Sequence, residues 1–170
     1  MDIHQLFQTY QKHNVIKAGR KILADSDTNI HLGGLYGSTR ALAIASLFSD
    51  SKKSFIIVED DEESAGYLYN DLSRLLNNES VYFFPPSFRR SLKYGKNDSG
   101  NMILRTEVLN ALQQGSDCII VTFPEGLVEK VMPRETLSNN TLEITKGEHV
   151  DNAFVIELLT TFGFEKVDYV

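Results

Sequence analysis

Residues 33–41, GGLYGSTRA, have the composition of a phosphate-binding loop. Such loops bind phosphate because their backbone N–H groups and the following helix N-terminus face the anion. In the full Walker A pattern, G-x-x-x-x-G-K-[ST], the lysine neutralises the β- and γ-phosphates and the hydroxyl holds Mg²⁺. Counting from the first glycine, the last three positions hold Ser, Thr and Arg, so the lysine is missing. We therefore expect no bound nucleotide, no metal and no catalysis at this degenerate loop, whose residues are Gly33, Gly37, Ser38, Thr39 and Arg40.

A second candidate for chemistry is the acidic stretch VEDDEES at residues 58–64. A hydrophobic strand followed by acidic residues also resembles a Walker B motif, and a cluster of carboxylates can bind a metal ion. This stretch directly precedes a helical pattern, where acidic side chains cap the helix N-terminus and complement its dipole. Capping is the favoured interpretation, and metal binding the alternative, for Asp60, Asp61, Glu62 and Glu63.

One local basic segment, PPSFRRSLKYGKN at residues 85–97, mixes basic and aromatic side chains. Basic residues can contact a nucleic-acid backbone while aromatic rings stack on bases. The alternative is an ordinary solvated loop, since loops of this composition are common on protein surfaces. The residues of the possible nucleic-acid loop are Arg89, Arg90, Lys93 and Lys96.

The remaining composition excludes several other functions. The four histidines have no zinc-site spacing and no accompanying cysteine, and the single Cys118 lies in the apolar run CIIV, which predicts a core position. A net charge of −6 gives no overall basic footprint for nucleic acid. No apolar run has the length of a signal peptide or a membrane span, so we expect a cytoplasmic protein without membrane contact.

Four short apolar runs predict the elements that position these residues: NIHL (29–32), FIIV (55–58), VYFF (81–84) and CIIV (118–121). Continuous apolar runs are typical of parallel strands covered on both faces. Apolar residues at three- and four-residue spacing predict helices after the second and third runs, and the first 25 residues predict one or two more. The pattern indicates an α/β fold, a parallel sheet sandwiched by helices, with ligands bound at the carboxyl ends of the strands.

A boundary near Pro133 divides the sequence into a domain of residues 1–134 and the start of a small α+β domain at 135–170. In the second part we expect a strand at LEIT (142–145), a turn at KGEH, a helix capped by Asp151 and a final strand at EKVDYV. One helix and two strands form too small a core to be stable alone. The expectation is a fragment that ends inside its second domain.

The order and spacing of these segments resemble the amino-terminal region of the bacterial transcription-repair coupling factors (Mfd), which is itself similar to the UvrB damage-recognition helicase. The resemblance rests on LGGLYGSTRALAIASLF, FIIVEDDEESAGYLYNDLSRLL, VYFFPP, CIIVTFPEGLVEKVMPRETL and the segment from LEIT to Val170. UvrB has an intact Walker A loop and a long aromatic β-hairpin, whereas coupling factors have a degenerate loop. The degenerate loop and the short span between Pro86 and Met102 both agree with the coupling factors.

The resemblance implies a RecA-like, P-loop-type domain, equivalent to helicase domain 1a, that has kept the fold and lost the ATPase chemistry. It also implies that the small second domain recruits the UvrA repair ATPase in nucleotide excision repair. RNA polymerase and DNA would be bound by other domains of the parent protein, an ATP-dependent DNA translocase. We expect the UvrA contact residues to follow Val170 and the docking surface here to be incomplete.

Three functions therefore follow as hypotheses from the sequence. The favoured one is a non-catalytic recruitment scaffold. The alternatives are a nucleotide-binding or ATPase domain with an unorthodox phosphate loop, and a nucleic-acid-binding module that uses residues 89–96.

Overall fold

A computed structural model of the chain describes residues 3–24, 29–51, 53–78, 80–88, 98–139, 142, 144–162, 164 and 167. The described residues form three strands: Phe55–Val58 (β1), Val81–Phe84 (β2) and Ile119–Thr122 (β3). The helices are Ile3–Gln11 (α1), Asn14–Ala24 (α2), Thr39–Phe48 (α3), Glu62–Leu75 (α4), Ser99–Gln113 (α5), Pro124–Val128 (α6), Arg134–Asn139 (α7) and Asn152–Thr161 (α8).

The three strands form one parallel sheet in the order β1-β3-β2. Phe55 of β1 and Val81 of β2 both lie opposite Ile119, so β3 is the central strand. All four residues of β3 are buried, as expected for a strand covered on both faces. The prediction of an α/β fold with a parallel sheet between helices is confirmed.

The prediction of a first strand at NIHL is wrong. Residues 29–32 form no strand, and the described part of the sheet begins at Phe55. Leu32 packs instead in an apolar cluster with Ile16, Ala43 and Leu47 of the helices α2 and α3. Because this burial is against helices, the segment gains its stability without pairing to the edge of β1.

On one face of the sheet, α3 and α4 cover the main core. The buried residues of α4 repeat at three- and four-residue spacing, at Ala65, Leu68, Leu72 and Leu75, as the sequence pattern predicts. They pack with Ile119 and Val121 of the central strand. Each fully buried aliphatic side chain contributes roughly 2 kcal/mol through the area it removes from water, so this face provides most of the driving force for folding.

On the opposite face, α5 packs through Val108 against Phe84, Cys118 and Ile120. Cys118 is fully buried, which confirms its predicted core position. Leu112, which the sequence pattern also assigns to the buried stripe of α5, is 45% exposed. The covered part of α5 is therefore narrower than the pattern predicts.

The chain divides into two compact units, Met1–Lys130 and Val131–Val170. In the second unit, Asp151 accepts a hydrogen bond from the Ala153 N–H at 2.9 Å and caps α8 as predicted. The turn at KGEH is also present, with Gly147 at φ +98°, a value that favours glycine.

The two strands predicted for the second unit are not confirmed by the described residues. Leu142, Ile144 and Thr145 lie outside any strand, so the described part of LEIT does not confirm the prediction. The run EKVDYV lies almost wholly outside the described residues. The apolar stripe of α8 covers no core, because none of the residues of this helix is buried and Phe154 is 53% exposed.

Within the part of the chain that the structure describes, no helix has the length and apolar character needed to cross a bilayer.

Candidate functional site

The glycine-rich loop forms a tight turn directly before α3. Gly34 and Gly37 have φ values of +76° and +53°, a region that side chains other than glycine rarely adopt. The Thr39 hydroxyl donates to the Tyr36 carbonyl at 2.6 Å and accepts the Tyr36 N–H at 2.8 Å. Thr39 occupies the lysine position of the Walker pattern, and its side chain closes the loop on itself.

Arg40, whose side chain is 48% exposed, is held by an ion pair with a buried carboxylate. Its guanidinium Nη2 donates to Oε1 of Glu59, the residue that follows β1, and the Glu59 side chain is only 5% exposed. The hydrogen bond that Arg40 donates to Glu59 raises the pKa of Arg40 and outweighs the effect of partial burial, and the charges of Glu59 and Asp60 act in the same direction. Arg40 therefore stays charged, and Glu59 balances that charge.

This ion pair controls the electrostatics of the loop. A triphosphate needs uncompensated positive charge, and a Walker lysine supplies it. At this loop the guanidinium is paired with one carboxylate and lies within electrostatic range of a second, Asp60. A phosphate group at Arg40 would therefore meet a guanidinium whose charge is already balanced by Glu59, with the Asp60 charge nearby.

The acidic stretch after β1 has the predicted capping role. The Asp61 carboxylate accepts the Ser64 N–H at 2.8 Å at the start of α4, and this hydrogen bond lowers the pKa of Asp61. Glu62 and Glu63 follow in the first turn, where negative charge complements the helix dipole. Among the described residues, no three His, Cys, Asp or Glu side chains lie close enough to hold a metal ion.

A surface groove with a volume of about 390 Å³ lies between the start of α3 and α4. It brings together Gly37, Ser38 and Arg40 of the predicted loop with Ser64, Tyr67, Leu68 and Asp71 of α4. Of these described residues, Arg40 is the one cation and is the partner of Glu59, while Asp71 adds negative charge to the wall. The described lining of the groove therefore carries one positive and one negative side chain.

At the carboxyl end of β2, a buried polar cluster holds the chain that leads into the predicted basic loop. Arg105 of α5 donates from Nη1 to the Pro85 carbonyl at 2.7 Å and to the Gly126 carbonyl at 3.2 Å, and its guanidinium lies 4.1 Å from the centre of the Phe84 ring. Asn101 donates from Nδ2 to the Pro86 carbonyl at 2.9 Å. We call these contacts the β2 exit cluster.

Glu129 completes the β2 exit cluster. Its carboxylate accepts the Ser87 N–H at 2.7 Å and lies 3.8 Å from Nη1 of Arg105. Burial raises the pKa of Glu129, but the hydrogen bonds from Ser87 and the charge of Arg105 outweigh it, so the pKa is lowered. For Arg105, burial lowers the pKa and Glu129 opposes that change. These contacts position residues 85–87, while Arg89, Arg90, Lys93 and Lys96 lie outside the described residues.

Three residues of these sites, Glu59, Asn101 and Arg105, were not predicted from the sequence. Glu59 is hidden in the sequence among five consecutive acidic residues, and its burial depends on Arg40, which is distant in sequence. Asn101 and Arg105 did give a signal, because they share a helical stripe with Val108 at spacings of four and three residues. Polar residues on an apolar stripe indicate buried hydrogen bonding.

Comparison with known proteins finds transcription-repair-coupling factors among the relatives of this chain. It is 22% identical to the transcription-repair-coupling factor of Staphylococcus aureus (strain USA300) over 138 residues, which cover 81% of this chain and 12% of the relative. It is 24% identical to the transcription-repair-coupling factor of Bacillus subtilis (strain 168) over 139 residues, or 82% of this chain and 12% of the relative. No family model and no solved structure matches the chain.

The similarity extends over most of this chain but over a small part of each relative. The chain spans about 12% of the length of the curated relatives it matches. The resemblance in the order of segments and the sequence comparison agree. The chain is a distant homologue of a region of the transcription-repair coupling factors.

Proposed function

We propose that this chain is a UvrB-like scaffold region of a transcription-repair coupling factor and that it has no ATPase activity of its own. The observation that carries the proposal is the ion pair between Arg40 and Glu59. Within the described loop of residues 33–41, Arg40 is the only cation and it neutralises an internal carboxylate. The loop therefore has the shape of a phosphate site without its charge. The homology to coupling factors supplies the biological context.

We further propose a fold and a set of partners for each unit of the chain. The first unit is a RecA-like domain, equivalent to helicase domain 1a, and the second unit is the part of a small domain that recruits UvrA. RNA polymerase and DNA are partners of other domains of the parent protein. The protein acts in the bacterial cytoplasm, in nucleotide excision repair coupled to transcription. The distant homology supports a repair-complex role of this kind.

Mg–ATP is expected to leave the melting temperature of the chain unchanged at millimolar concentration. A ligand that binds only the folded state at 100 times its Kd stabilises that state by about 2.7 kcal/mol, which raises Tm by several degrees in a protein of this size. A thermal-shift titration, combined with a phosphate-release assay, measures both binding and hydrolysis.

The matched pair for this experiment is Glu59→Gln, which removes the charge that neutralises Arg40, and Asp60→Asn, which removes a neighbouring charge but keeps the ion pair. Any gain in affinity for Mg–ATP should appear in Glu59→Gln and not in Asp60→Asn. A Tm rise or ATP hydrolysis in the wild-type chain that Arg40→Ala abolishes would show that the loop is a nucleotide site. Either result would favour the alternative of an unorthodox nucleotide-binding domain.

The UvrA-recruiting role predicts weak binding that depends on the second unit and not on ATP bound to this chain. The expected affinity is weak because α8 is a single helix of 10 residues and offers a small surface. Phe154 and Ile156 are exposed apolar residues two positions apart on that helix, so they offer apolar contacts on different sides of it. Calorimetric titration of UvrA should show weak binding or none, and the double substitution Phe154→Asp and Ile156→Asp should abolish any binding that is measured.

The matched control replaces two exposed apolar residues of the first unit, Met102→Asp and Ile103→Asp on α5. Equal loss of UvrA binding in both variants would indicate a non-specific apolar contact. UvrA binding that survives both α8 substitutions would remove the recruiting role from the second unit, while the proposed lack of ATPase activity would be unaffected.

A further inference from the structure

The first unit contains a pocket that the proposed function does not use. It has a volume of about 440 Å³ and is bounded by α1, α2, residues 31–35 and the start of α3. We call it the α1–α2 pocket. Its wall includes Leu6, Tyr10, Ile16, Leu32, Leu35 and Ala43. The volume falls within the range of about 300–1,000 Å³ found for small-molecule sites.

The chemistry of the wall is apolar with a few neutral polar groups. Ile16 and Ala43 are 4% and 2% exposed and form its floor, and Leu32 and Leu35 pack against the same cluster. The polar groups come from Thr9, Tyr10, His13 and His31. None of the described residues that line the pocket is Asp, Glu, Lys or Arg.

The lack of charged side chains among the described lining residues determines which kind of molecule the pocket can bind. A phosphate or carboxylate would find no cation among the described lining residues, since Arg40 is bound to Glu59 and does not line the wall. An ammonium group would find no carboxylate among them. Burying either ion without a partner costs several kcal/mol, so the pocket favours an uncharged molecule.

The polar groups indicate where such a molecule would form hydrogen bonds. The His13 ring accepts the Val15 N–H at Nδ1, at 3.3 Å, so its proton is on Nε2 and that nitrogen is a donor. His31 lies beside Gly33 on the wall of the pocket. A flat ring with one polar edge can contact the aliphatic floor and reach an imidazole, and aromatic rings pack well against Tyr10.

We propose that the α1–α2 pocket binds a small, uncharged aromatic molecule about the size of a bicyclic ring, between the aliphatic floor and the two histidines. The pocket shares Gly33 and Leu35 with the degenerate loop but does not include Arg40, so the proposed ligand is a neutral molecule and not a triphosphate. It is a site for a neutral ligand at the amino-terminal side of the degenerate loop.

Indole is the probe for the test, because it is a neutral bicyclic ring and its fluorescence can be followed in a chain that has no tryptophan. Titration of the chain into indole should give a saturable blue shift as the ring leaves water. Indole-3-acetate, the same ring with a carboxylate, should bind roughly tenfold more weakly, which corresponds to about 1.4 kcal/mol.

Gly33→Leu is the blocking variant. Gly33 lines the pocket, its φ does not require glycine, and an added Cβ would meet only the His31 ring at an ordinary 3.5 Å. The variant should therefore fold, fill part of the pocket and weaken indole binding by roughly tenfold or more. Gly66→Leu on α4 is the matched control, because the same side chain there enters open space away from the pocket.

The melting temperatures of both variants establish that they are folded. Saturable indole binding that Gly33→Leu weakens and Gly66→Leu leaves unchanged supports the proposal. A response that never saturates, or equal affinity in the wild type and Gly33→Leu, overturns it. Equal or tighter binding of indole-3-acetate overturns the assignment to an uncharged ligand.

Discussion

Replacing Gly126 with alanine is expected to lower the free energy of unfolding by about 3 kcal/mol, the upper part of the range for overpacking a well-packed interior. A Cβ at this position would lie 2.6 Å from the Phe84 carbonyl oxygen and 2.7 Å from Oγ1 of Thr122. These two atoms are joined by a hydrogen bond of 2.6 Å, so neither can move without breaking it. The backbone of α6 would have to shift away from the carboxyl ends of β2 and β3.

The measurement is chemical denaturation followed by circular dichroism. Gly66→Ala is the matched control, since Gly66 lies inside α4 and an added Cβ meets nothing within 4 Å. There alanine should stabilise the chain by up to about 1 kcal/mol, because glycine is the poorer helix former. The two identical substitutions should thus have opposite signs. Equal effects would mean that close packing at Gly126 does not limit stability.

The second large effect is expected for Arg105→Met, which should also cost about 3 kcal/mol, because each buried carbonyl that loses its partner costs roughly 1–3 kcal/mol. Methionine keeps the aliphatic stem over Phe84 but leaves the carbonyls of Pro85 and Gly126 without their donor. Burial of the charged guanidinium is itself unfavourable, as the lowered pKa of Arg105 indicates. Methionine removes that cost, which offsets part of the loss.

Arg74→Met is the matched control, because Arg74 is exposed in the last turn of α4. It should change the free energy of unfolding by less than about 0.5 kcal/mol, as is usual for surface positions. A second readout is the Glu129 carboxyl, followed by NMR. Its pKa is lowered in part by the charge of Arg105, so it should rise in Arg105→Met and stay constant in Arg74→Met. An unchanged stability and an unchanged Glu129 pKa would contradict the structural role of Arg105.

The second unit shows where the sequence pattern is least informative. The apolar spacing in α8 correctly predicts a helix, and Asp151 correctly predicts its start, because both depend on neighbours within one turn. Whether the apolar stripe is buried depends on what packs against it, and Phe154 is exposed. A short apolar run such as LEIT carries no information about a pairing partner, and its described residues form no strand.

Local patterns in the sequence were enough to establish several features of this protein. Continuous apolar runs predicted the three strands of the parallel sheet, helical spacing predicted α4 and α5, and the acidic stretch after β1 predicted the cap of α4. These predictions succeed because backbone conformation and burial follow from residues within a few positions of one another.

The pairing of distant residues, in contrast, became known from the three-dimensional fold alone. The fold placed Arg40 against Glu59, joined Arg105 to the carbonyls of Pro85 and Gly126, and packed Leu32 against helices instead of a strand. In each pair the partners are far apart in the chain, so spacing within a few residues does not reveal them. Of the five consecutive acidic residues, Glu59, which directly follows β1, is buried and pairs with the Arg40 guanidinium. The other four are exposed, because the fold buries only the position next to the strand.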